Sequence, residues 1–223
     1  MTPFLAQIER DLMIAWKNRQ DLGVMLIFFV IIIALFPLAI GSKAAILDPL
    51  AVPIVWIAAL LSILAGFERL FAQDVRDGWL DQVSLSQLGL GWYALAKAIS
   101  HWLSTGLPLL IMTPLMTVML NIPASQCSTL LVALLVGSMG LTLLGVIGAA
   151  LAQGARRGTA LMALLILPLA VPVLIFGTLA SQSEIGIINP HLMLLCAVFA
   201  VLLAIAPLVA ASALEIGGVE NSN

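Results

Sequence analysis

Residues 22–41 read LGVMLIFFVIIIALFPLAIG, twenty positions without an acidic or basic side chain. The hydrocarbon core of a bilayer takes about 20 such residues in helical form, so this stretch predicts a membrane span. Five more follow, at residues 49–67, 98–120, 129–152, 159–180 and 191–214. None shows the polar–apolar alternation of a barrel strand. The fold class expected is therefore an all-α integral membrane protein: six transmembrane helices forming one domain over residues 1–223.

The composition agrees. Of 223 residues, 62% are hydrophobic and 9% charged, and the mean hydropathy is +1.18. A soluble domain is about a quarter charged. These figures exclude a soluble enzyme, a disordered chain and a nucleic-acid binder, which needs a basic face; lipid is the partner they demand. Cys127 and Cys196 are too few and too far apart for a disulfide framework or a zinc knuckle. No G-x-x-x-x-G-K-[ST] is present, so the chain has no P-loop for ATP. The first 21 residues mix Glu9, Arg10, Asp11, Lys17, Arg19 and Asp21, whereas a signal peptide starts purely basic. The run at 22–41 therefore reads as a retained span.

Lys and Arg positions set the orientation. Arg10, Lys17 and Arg19 precede the first span; Arg69, Arg76 and Lys97 lie between the second and third; Arg156 and Arg157 lie between the fourth and fifth. Only Lys43 falls on the other side. Both termini are expected in the cytoplasm, with external loops near 42–48, 121–128 and 181–190.

Two segments lie outside the spans. Residues 3–20 place Phe4, Leu5, Ile8, Leu12, Ala15 and Trp16 at helical spacing, which predicts an amphipathic helix in the cytoplasmic interface; a soluble stub is the plainer reading. The long polar stretch 68–97 spaces Phe67, Leu70, Phe71, Val75 and Trp79 by three and four, with Glu68, Arg69, Gln73, Arg76 and Asp77 on other faces. Gly78 weakens that helix at its midpoint. The stretch reads either as a solvated loop or as a docking surface for a cytoplasmic partner.

The spans contain no Asp or Glu, which an ion-coupled transporter usually needs; energy is expected from outside the chain. Pro108, Pro114, Pro168, Pro172 and Pro207 interrupt spans three, five and six and bend them. Gly137, Gly140, Gly145, Gly148 and Ala149 line span four with small residues, which suits close helix packing. His101 starts span three and His191 starts span six, on opposite faces of a hydrocarbon layer about 30 Å thick. They cannot share one iron as a bis-histidine pair, and both read as interfacial side chains beside Trp102 and Asn189. No metal site and no catalytic residue is expected.

ERLFAQDVRDGWLDQ at 68–82 and LAKAISHWLSTGLPLLIMTPL at 95–115 resemble the CcmB family, the permease component of the bacterial cytochrome c maturation heme exporter. LFPLAIG at 35–41, WIAALLSILAGFERLF at 56–71, GARRG at 154–158 and LPLAVPVLIF at 167–176 extend the resemblance from Ile8 to about Leu214. It implies a non-catalytic, ABC-2-like permease subunit in the bacterial inner membrane. The implied partners are a cytoplasmic ATPase (CcmA), a heme-handling membrane subunit (CcmC), a small single-span subunit (CcmD), a periplasmic heme chaperone (CcmE) and a second copy of the chain. ATP would bind the ATPase. Heme would be handled by the complex, with no cofactor held by this chain, since the Trp-rich heme loop of the heme-handling subunit has no counterpart here.

In such exporters a short cytoplasmic coupling helix docks in a groove of the ATPase. On this expectation Phe67, Leu70, Phe71 and Trp79 are the anchors, Glu68, Arg69, Asp74, Asp77 and Asp81 orient the segment, and Gly78 lies within it. Several functions remain open. The complex could move heme outward, or use ATP as a mechanical switch that releases the loaded chaperone. The chain could instead be a passive scaffold for the ATPase, or belong to an exporter of lipid or glycan.

Overall fold

A computed structural model describes residues 2–41, 44–67, 69–153, 158–182 and 189–220. Glu68, Arg156, Arg157 and Lys43 lie outside the described residues. The described chain is helical, without strands. Its elements are α1 (Pro3–Lys17), α2 (Arg19–Ile40), α3 (Ala44–Phe67), the short α4 (Ala72–Arg76) and α5 (Trp79–Ser84), α6 (Gly89–His101), a π-helical turn (Trp102–Gly106), α7 (Leu107–Met119), α8 (Ala124–Ala152), α9 (Gly158–Gln182) and α10 (Pro190–Glu220). Six helical stretches among the described residues are long and apolar enough to cross a membrane.

The third of these runs unbroken from Gly89 to Met119. It starts nine residues earlier than the apolar run and so carries Lys97 inside the helix. The charge is tolerated there because carboxylates from two other elements neutralise it, as described below. Pro108 explains the π turn. It lacks an N–H, and in a regular α-helix its ring would meet the carbonyl of Ser104. The helix widens instead, Leu107 N–H bonds back to Trp102 O, and the His101 carbonyl accepts the hydroxyls of Ser104 at 3.0 Å and Thr105 at 2.6 Å.

α8 is the central helix, packed on α3, α7, α9 and α10. Apolar side chains gain little by leaving lipid, so helix association here depends on close packing and interhelical hydrogen bonds. Glycines supply the slots. A Cβ on Gly137 of α8 or Gly177 of α9 would collide with the Trp56 ring, and one on Gly145 with the Phe67 ring. α3 thus presses two aromatic rings into notches of its neighbours. Trp56 Nε1 donates to Ser181 Oγ at 3.1 Å, which satisfies the buried indole. The small-residue spacing read in span four is a packing surface.

At the far end Asn189 caps α10. Its Oδ1 accepts from the backbone N–H groups of His191 and Leu192, both at 3.1 Å, and its amide donates to Ala180 O. α1 lies at the opposite end, packed along α6. Leu5, Met13 and Trp16 point outward and are exposed, the apolar face that an interfacial helix offers to lipid.

Candidate functional site

The inward face of α1 is polar at its centre. Phe4, Ile8, Ile14 and Ala15 are half-buried, but the fully buried residues are Gln7 and Asp11. They meet Asp74 of α4 and Lys97 of α6. Asp74 and Lys97 are 2% and 7% exposed, and isolated charges at such sites are costly. Each is paired twice. Lys97 Nζ lies 3.0 Å from Asp11 Oδ1 and 2.6 Å from Asp74 Oδ2. Arg10 reaches Asp11 at 3.1 Å and Asp74 at 2.8 Å. The buried Tyr93 hydroxyl donates to Asp74. Gln7 donates to Asp11 at 3.0 Å and accepts from Trp79 Nε1 at 3.1 Å, and the Arg10 guanidinium lies 4.2 Å from the Trp79 ring centre.

Two carboxylates and two cations therefore balance across three elements. Burial works against the Arg10 charge, but the hydrogen bond and charge of Asp74, and then Asp11, hold its pKa above the ordinary value. A network this satisfied is rigid, while losing one member strands the others in low dielectric. α1, α4 and α6 are clamped to one another at the base of the third span.

The residues expected to dock a partner separate into two groups. Phe67 and Phe71 face the protein's own interior. Phe67 is wedged at Gly145 with its ring 4.6 Å from His101, and the Phe71 ring packs at a tilt of 47° with its centre 6.0 Å from that of Tyr93. Their surfaces are already spent, so they are not free anchors. Leu70 and Trp79 are half-buried, and Asp74 belongs to the clamp. Arg69, Asp77 and Asp81 are exposed. The single coupling helix is two short helices, because Gly78 adopts the left-handed region at φ +68° and turns the chain between them. Beyond α5, Leu85 is 90% exposed beside exposed Ser84, Ser86 and Gln87. It is an apolar side chain this segment offers outward, and its setting among Ser84, Ser86 and Gln87 was the signal available in the sequence. The clamp also had one. Tyr93, Lys97 and His101 recur every four residues and share one helix face.

A cavity of about 630 Å³ opens beside the clamp, between α1, the start of α2, the end of α3 and the π turn. His101, expected at the interface, is buried on its wall. Among the described residues no group of three or more His, Cys, Asp or Glu is placed to hold a metal ion.

A family model described as CcmB protein matches residues 2–217, which include the clamp, the two short helices and all six long helices. The chain belongs to the CcmB family. Its similarity to individual members is nearly end to end. The heme exporter protein B of Pseudomonas aeruginosa is 42% identical over 215 residues, covering 96% of both chains. That of Bradyrhizobium diazoefficiens is 40% identical over 222 residues, covering 97% of this chain and 99% of the relative. That of Escherichia coli K12 is 40% identical over 208 residues, covering 92% and 94%. For this CcmB-family chain, a multi-pass membrane protein, the polar stretch at 68–88 and the clamp beneath it are the features that lipid packing does not explain.

Proposed function

We propose that this chain is the membrane-spanning permease component of a heme export complex, and that it carries ATP-driven motion from a separate ATPase into the membrane. The chain itself is not a catalyst; ATP binds the partner. The observation behind this reading is the buried clamp. A push on α4–α5 is borne by Asp74, passes to Lys97, and so acts on the third span just below its π turn. A passive tether would have no need of charges buried in that span, where ionisable residues usually mark function. The exposed outer face, with Asp77, Asp81 and Leu85, is the side that meets the ATPase (CcmA). The heme-handling subunit (CcmC), the single-span subunit (CcmD), the heme chaperone (CcmE) and a second copy of this chain complete the proposed complex.

The test is reconstitution with the ATPase and partners in sealed vesicles. ATP should drive heme across the bilayer. Release of loaded chaperone with no heme crossing would replace export with a mechanical release cycle.

The proposed setting is the bacterial inner membrane with both termini cytoplasmic, following the basic residues. Reporter fusions after Arg76 and Arg157 should read cytoplasm, and fusions near Asp48 and Ser125 the opposite side. A reporter at Arg76 that reads external would invert the arrangement.

A further inference from the structure

We propose that the cavity beside the clamp holds the phosphate headgroup of an anionic glycerophospholipid, with Arg76 as the residue that recognises it. The inference stands apart from the export reading and concerns how the chain is seated in its bilayer.

Position is the first observation. The cavity lies where three spans reach one face of the membrane, walled by the start of α2, the end of α3 and the base of the third span, with α1 alongside. Leu22, which opens the apolar run of α2, is in its lining together with Val24 and Met25. Val24 is also exposed on the outside of α2, and Ile27, Ile31 and Leu35 continue that exposed face at helical spacing. The cavity thus opens sideways onto an apolar ridge along which acyl chains can lie, while its interior is polar. An amphiphile matches both halves; a soluble anion matches one.

The second observation is charge. Asp11 and Asp74 in the lining are already paired with Lys97 and Arg10. Arg76 lines the same cavity, is exposed, and has no carboxylate within ion-pair distance among the described residues. Its Nε donates to Ala72 O at 3.1 Å, which holds the guanidinium by one nitrogen and leaves the terminal pair for a ligand. The guanidinium fork matches phosphate oxygens, and basic pockets between spans at a bilayer face are where lipid headgroups bind.

The neutral groups complete the match. Asn18 and Gln73 line the cavity, are exposed, and offer amide N–H groups to an anion. The hydroxyls of Ser100, Ser104 and Thr105 donate to carbonyls of their own helix, so their oxygens remain as acceptors. That suits a headgroup with hydroxyls of its own, such as glycerol. The volume of about 630 Å³ falls within the roughly 300–1,000 Å³ of ligand pockets. A headgroup held there touches α1, α4 and the third span together, and so braces the elements that the clamp joins.

The test uses the purified full-length chain in an uncharged detergent, where no charged bilayer surface attracts lipid. Phosphatidylglycerol, phosphatidylcholine and inorganic phosphate are added in turn. Native mass spectrometry counts bound lipid, and the melting temperature is followed. Phosphatidylglycerol should bind saturably and raise the melting temperature. Phosphatidylcholine, whose headgroup carries its own cation, and phosphate, which has no tail, should do neither at the same concentration. Loss of a hydrogen bond to a charged group weakens binding about tenfold or more, so Arg76→Gln should weaken phosphatidylglycerol by at least that factor. Arg76→Lys keeps the charge without the fork and should fall between. Arg19→Gln removes an exposed basic residue at the start of α2, outside the cavity lining, and should change little. Arg76 is exposed, so its variants should melt near the wild-type temperature before lipid is added. Equal losses for Arg76→Gln and Arg19→Gln, or equal binding of the two phospholipids, would overturn the site. Equal stabilisation by inorganic phosphate would overturn the lipid as its occupant. Neither ATPase nor heme is present, so failure here leaves the vesicle export result untouched.

Discussion

Replacing Lys97 with methionine is expected to remove most folded protein from the membrane. The change leaves Asp11 and Asp74 buried with Arg10 as their one remaining cation among the described residues. Removing one member of a buried ion pair typically costs about 3–5 kcal/mol, a large part of a stability of about 5–15 kcal/mol. Asp74→Asn should be comparably harmful for the opposite reason, since Arg10 and Lys97 then face one carboxylate. The double variant returns the count to one cation and one anion, and the introduced amide still offers an oxygen to Arg10 and Tyr93. It should therefore be more stable than either single variant, a coupling of opposite sign to additivity. Thermal melts of detergent-purified protein and the yield of monodisperse chain give the cycle. If the two single losses simply add, the residues are independent and there is no clamp to carry force.

The same charges mark where the sequence could be read and where it could not. The apolar stretches announce themselves because lipid forbids charge, and all six appear as long helices. That rule failed at Lys97 for a tertiary reason. The lysine looked like the end of a loop, yet its neutralising partners lie 86 positions away at Asp11 and 23 positions away at Asp74, in segments that read separately as an interfacial helix and a polar loop. Periodicity identified α1, but it ranks faces by hydropathy and so sent the apolar one inward or lipid-ward without knowing that Gln7 and Asp11 had partners. Phe67 and Phe71 misled for a similar reason. An aromatic residue in a polar stretch resembles an anchor for another protein, and only the notch at Gly145 and the ring of Tyr93 show that it anchors its own chain. Gly78 was only partly legible: a glycine inside a helical pattern reads as a weak point, and it is the left-handed φ of +68° that turns the segment into two helices.

The outer face of the α4–α5 segment should bind the ATPase through Leu85 and Asp81, so Leu85→Asp is expected to abolish co-purification of the ATPase while leaving the chain's melting temperature unchanged. Leu85 is 90% exposed, and its replacement removes almost no internal packing. If Leu85 is a central anchor of the interface, its loss costs about 2 kcal/mol, roughly a thirtyfold change in affinity, and a buried carboxylate in its place adds a desolvation cost. Asp81→Lys should weaken binding by charge reversal, more strongly at low salt because exposed charges are screened. Phe71→Ala is the contrasting variant. Phe71 is 0% exposed and packs against Tyr93, so truncation should cost about 3–5 kcal/mol of stability and lower the amount of folded chain, with ATPase binding per folded molecule little changed. Stimulated ATP hydrolysis, measured per folded permease, separates the two effects. Undiminished ATPase binding by a Leu85→Asp, Asp81→Lys double variant would take the outer face out of the interface and return Leu70 and Trp79, the half-buried residues of this segment, as the contacts to examine.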